Sequence, residues 1–137
     1  MWNKIHLWLG CLLLAVFLLT GLYMESQFPA LYQGDQVMRF MYRASHIYLL
    51  FAALVHLAWS HAAPLPSQNT LLYVAPSVGL ILASVLLVVA YWVEPANRMD
   101  ERGYTQIALV ILIIASIFRV LLHLTRSKKE IGHEVIR

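Results

Sequence analysis

The sequence predicts an all-α integral membrane protein: a single domain over residues 1–137, built as an antiparallel up-down bundle of four transmembrane helices. Three observations predict it. Of the 137 residues, 61% are hydrophobic and 12% charged, with a mean hydropathy of +0.69, whereas a soluble domain of this size needs a larger charged surface. Four apolar runs occupy residues 2–24, 37–60, 71–93 and 104–124. At about 1.5 Å per residue, each is long enough to cross a hydrocarbon core of roughly 30 Å. The breaks between runs are short and carry turn chemistry, which makes sequential helices antiparallel neighbours.

The first run opens on Lys4 and resembles a signal peptide in that respect. Its apolar stretch is too long, however, and "TGLYMES" offers no small-x-small cleavage pattern, so it reads as a retained helix. "SQFPALYQGDQ", with Pro29 and Gly34, separates it from the second run. "HAAPLPSQNT" separates the second from the third, and "EPANRMDERG", with Pro95 after Glu94, the third from the fourth. After the fourth run comes a short basic tail, "TRSKKEIGHEVIR".

Charge sets the orientation. The connection between helices 2 and 3 has no Lys or Arg. The terminal side carries Lys4, Arg126, Lys128, Lys129 and Arg137, and the opposite side Arg39, Arg43, Arg98 and Arg102. The excess, and a basic tail suited to an anionic leaflet, predict cytoplasmic termini. A net charge of +3, with no basic run interleaved with aromatics, excludes nucleic acid as a partner. The single cysteine, Cys11, excludes an intrachain disulfide and lies in an apolar helix, as a small packing residue does. No serine stands in a nucleophile motif, and no glycine loop cradles phosphate.

Ionisable residues are expensive at membrane depth and usually face the bundle interior. The segment "YRASHIYLLFAALVH" places Arg43, His46 and His56 in the second run. Small and hydroxylated stripes, which mark helix–helix approach in lipid, include Asn3, His6, Gly10 and Gly21 on helix 1 and Ser45, Ala52, His56 and Ser60 on helix 2. Helix 3 has Ser77, Ser84 and Tyr91, and helix 4 has Thr105, Ala108, Ala115, Arg119 and His123. For the small residues packing explains the stripe. It does not explain the histidines or Arg119. His6 near the start of helix 1, His56 near the end of helix 2 and His123 near the end of helix 4 share a level near the terminal side. Arg119 lies about 6 Å deeper, one turn before His123. His46 is roughly 15 Å from His56 along the axis, in a separate layer. His61 and His133 read as solvated. On the opposite side Glu94 needs a cationic partner, and Arg39 or Arg43 is the expectation.

Such a constellation supports several chemistries. Imidazoles ligate haem iron, and a nearby arginine neutralises a propionate. Three imidazoles suit copper or zinc, although no carboxylate or thiolate stands at their level to complete a site. Proton relay through His, Arg and Glu is the third.

"NKIHLWLGCLLLAVFLLTGLYME" resembles the first helix of bacterial cytochrome b561-type proteins, and His46 after "MRFMYRAS" is similar to that family's second helix. The resemblance implies haem b held by histidines of helices 1 and 4, here His6 and His123, and a place in the bacterial inner membrane near the quinone pool. A second haem, between helices 2 and 3 in that family, would have His46 alone, because helix 3 has no histidine. Trp8 is also displaced from the position directly after His.

Three functions are therefore carried forward: a b-type haem protein for electron transfer, a non-catalytic accessory or assembly subunit of a larger membrane complex, and a small transporter. The last needs a homo-oligomer, because four helices enclose little cavity.

Overall fold

The computed structural model describes residues 2–62, 70–98 and 101–134. The described chain is all-helical: α1 spans Trp2–Leu31, α2 Gln36–His61, α3 Thr70–Ala96 and α4 Gly103–Glu134. All four are long and apolar enough to cross a membrane.

Two helices outrun the expected ends. Helix α1 passes Met24 and carries Pro29 in its final turn. There the missing amide costs one bond near a terminus where the ladder is already ending. Tertiary contacts hold the extra turns: Phe28 is buried and packs edge-on against Tyr32, with Tyr42 at 5.9 Å between ring centroids. The chain then reverses at Gly34, whose φ of 96° is open to glycine at no steric cost. Helix α4 continues to Glu134 because no Pro follows Leu124 and no Gly stands between Leu124 and Gly132.

Asp35 caps α2 by accepting the Met38 amide at 3.0 Å. The buried face of α2 is Met38, Met41, Tyr42, Ser45, Leu49, Ala52, Ala53, His56 and Trp59, the three–four spacing of one helical side. α2 is also the helix that packs against each of the other three, while α1 touches α3 through Thr20 and Tyr91 and through Tyr23 and Trp92. Its alanines and those of α3 and α4 allow this closeness: Ala52, Ala53, Ala83, Ala90 and Ala108 are all 0% exposed. With Leu49, Leu80, Leu87 and Leu112 they form a buried apolar middle.

α3 ends through its own carbonyls. Asn97 and Arg98 donate backbone amides to Val93 and Pro95, and Arg98 takes a left-handed φ of 48°. Arg102, at φ 51°, turns the chain into α4.

Candidate functional site

The polar interior divides into layers. On the terminal side, α1 contributes His6, α2 His56 and Trp59, α3 Ser84 and α4 Arg119. Gly10 makes the α1–α2 approach possible: a Cβ there would stand 2.8 Å from Leu57 Cγ and 3.1 Å from its backbone nitrogen. One turn away the two imidazoles meet. His6 Nδ1 lies 2.9 Å from His56 Nδ1, His56 Nε2 lies 2.9 Å from Ser84 Oγ, and Ser84 Oγ donates to the Leu80 carbonyl at 2.9 Å. His6 is 2% exposed and His56 0%. Trp59 stands edge-on to His6 with centroids 5.2 Å apart, and the Arg119 guanidinium lies 5.5 Å from the Trp59 ring centre. Asn3 donates to the Ala62 carbonyl at 2.9 Å, tying the helix ends together above the pair.

Hydrogen counting assigns the protons. Ser84 has one hydroxyl hydrogen, and Leu80 receives it, so Ser84 accepts from His56 Nε2–H. A neutral His56 then offers a lone pair at Nδ1, so His6 donates its Nδ1–H. That leaves His6 Nε2 as an unprotonated acceptor, and it is buried without a hydrogen-bond partner among the described residues. A proton arriving there and a transfer across the 2.9 Å bond would put the charge on His56, one ring farther in.

The other expected site residues lie elsewhere. His123 is on an exposed face of α4. His46 is in a separate layer, where its Nδ1–H donates to Thr20 Oγ1 at 2.9 Å and its ring stacks on Phe17 at 4.0 Å. Thr20 passes its own hydrogen to the Phe17 carbonyl, and its backbone carbonyl accepts from the Tyr91 hydroxyl at 3.2 Å. His61 is exposed, and the side chain of His133 lies outside the described residues. Sequence reasoning passed over Trp59 and Thr20. Trp59 could have been found as the aromatic three residues after His56, on the same helical face.

In the outer layer the expected partner of Glu94 is corrected. Glu94, 0% exposed, pairs with Arg102 at 3.3 Å. Arg39 instead lies over the Phe28 ring at 5.6 Å, and Arg43 is exposed. Glu94 also accepts the Thr105 amide at 2.8 Å and the Thr105 hydroxyl at 2.6 Å. Arg102 further donates to Ser45 at 2.7 Å. The reason is local: Arg102 directly precedes α4, and the carboxylate satisfies the Thr105 amide at that helix start, where the dipole favours a negative charge.

The haem expectation meets this geometry poorly. Axial imidazoles approach iron from opposite faces of a porphyrin. His6 and His56 bond directly to each other, which leaves no plane between them, and His123 faces away from the interior. These residues do not fit a bis-histidine haem. Among the described residues no three His, Cys, Asp or Glu side chains gather as a metal site. Compared with protein-family models, curated proteins and solved structures, the chain has no match.

Proposed function

We propose that the chain is a multi-pass protein of the bacterial inner membrane, its helices antiparallel and its termini cytoplasmic, acting as an accessory subunit whose interior histidine pair accepts a proton for a partner complex. Contacts that climb α1 while descending α2 support the antiparallel reading: Asn3 with Ala62, His6 with His56, and Thr20 with His46. The observation that carries the functional reading is the His6–His56–Ser84–Leu80 chain, because it leaves one basic nitrogen in a dry setting with a route for its charge. Chains of protonatable side chains inside a membrane bundle mark proton relays, and imidazole is the side chain that gains or loses a charge near neutral pH.

The transporter reading is less well supported. Leu49, Ala52 and Ala53 on α2 and Leu87 on α3, each at most 1% exposed, lie between the terminal-side layer and the layer of Thr20, His46 and Tyr91. A proton entering at His6 therefore reaches a closed end at Ser84. That suits a site that stores and returns a proton to the same side. A quinone-linked or other proton-exchanging complex at the cytoplasmic face is the partner of matching chemistry.

Nitrogen-15 NMR of the protein in nanodiscs tests the site. At neutral pH we expect His6 protonated on Nδ1, His56 on Nε2, and a coupling across the N–H···N bond. On acidification both rings should change together, and His6→Gln should abolish the joint step. Identical tautomers in the two rings, or independent titration, would overturn the proton-accepting reading. Migration as a lone monomer in mild detergent would overturn the subunit reading. A reducible Soret band in the purified protein would restore haem.

A further inference from the structure

At the opposite end of the bundle from the histidine pair, a cleft of about 250 Å³ opens between the end of α1 and the start of α2, lined by Met24, Glu25, Phe28, Pro29, Arg39 and Arg43. It carries charges of both signs, yet no ion pair joins Glu25 to Arg39 or Arg43 among the described residues. Arg39 lies against the Phe28 face at 5.6 Å, and its Nε is buried without a hydrogen-bond partner among the described residues. A buried guanidinium N–H without an acceptor is costly, and no hydrogen bond among the described residues takes up the other Arg39 donors, which leaves the group free to hold an oxygen ligand at the cleft. The ring stacking orients the guanidinium plane and keeps it from folding away into solvent.

We infer that this cleft binds the headgroup of a zwitterionic aminophospholipid, with the phosphate on Arg39 and Arg43 and the primary ammonium on Glu25. This rests on the reading that the four helices span a membrane, which puts the cleft at headgroup level. Three features select this occupant. Guanidinium groups bind phosphate oxygens through directed, charge-assisted hydrogen bonds. Glu25 opposes the phosphate of every headgroup alike, and only an ammonium gains a charged partner there. The cleft is smaller than the roughly 300–1,000 Å³ of sites that enclose a whole drug-sized ligand. It suits a headgroup whose acyl chains remain in the bilayer, against exposed residues such as Leu22.

Native mass spectrometry of the full chain released from nanodiscs of equal phosphatidylethanolamine, phosphatidylcholine and phosphatidylglycerol content tests this. Phosphatidylcholine has the same phosphate but no N–H to give Glu25. One solvent-accessible charged contact supplies up to about fivefold selectivity, so retained phosphatidylethanolamine should exceed phosphatidylcholine by about that factor. Glu25→Gln, at an exposed position, should erase that preference while the protein stays folded. Arg39→Gln with Arg43→Gln should lower retention of all three lipids. Equal retention of the three by the wild type, or a preference that survives Glu25→Gln, would overturn the inference. Failure of the chain to enter nanodiscs would overturn both this and the membrane reading, whereas entry with equal retention would overturn this alone.

Discussion

Replacing Arg102 by alanine tests the outer layer most directly. Glu94 is 0% exposed and the Arg102 side chain 15% exposed, so the substitution strips a buried carboxylate of its cation. It also removes the donor to Ser45 at 2.7 Å and the guanidinium from the Tyr48 face at 5.7 Å. Breaking a buried pair from one side costs about 3–5 kcal/mol. The two Thr105 donors stay in place and Arg102 is slightly solvated, so the lower end, about 3 kcal/mol, applies. Alanine keeps the strained left-handed φ of 51°, whereas glycine relieves it. Set against glycine's greater unfolded-state entropy, the relief leaves Arg102→Gly roughly 0.5–1 kcal/mol less destabilising than Arg102→Ala. Glu94→Leu combined with Arg102→Met should recover most of the loss, because no buried charge is then left unpaired. Reversible SDS unfolding in bicelles, followed by tryptophan fluorescence, gives the differences. An Arg102→Ala loss below about 1 kcal/mol, or glycine proving worse than alanine, would refute the reasoning.

The close approach at Gly10 predicts that Gly10→Ala destabilises the bundle by about 1–3 kcal/mol in the same assay, since the new methyl meets Leu57 side chain and backbone. It should also weaken the coupling between His6 and His56, and an unchanged NMR signature would contradict that. Asp35→Ala should cost about 1 kcal/mol through loss of the α2 cap. Arg98→Ala should cost far less, because the Arg98 side chain in the 3.1 Å pair with Asp35 is 77% exposed. Reporter fusions near Gly34 should read periplasm and those at the C terminus cytoplasm. The reverse pattern would invert the orientation and leave the layers as they are.

The four helices were legible in the sequence because each apolar run carries its own span-length signal, and no partner is needed to read it. Their ends were less so. The last turns of α1 depend on Phe28 finding Tyr42 on the far side of the α1–α2 turn, a contact that no single run encodes. The site was legible in part. The stripes put His6 and His56 at one depth, and the structure brings them together. The same reasoning put His123 with them. Depth follows from residue count, but facing depends on how α4 rotates against its neighbours, and that rotation left Arg119 inside and His123 outside.

By itself, then, the sequence determined helix number, approximate span and the position of each ionisable group along its helix, because hydropathy and rise per residue are properties of a single segment. The tertiary structure decided which groups at one depth meet. Arg102, read as a loop charge, reaches Glu94 because the left-handed turn before α4 aims it there. The imidazole pair forms because Gly10 lets α1 and α2 close on each other. Pairings of this kind depend on helix rotation and interaxial distance, which residues on two or more helices set jointly and which no single run encodes.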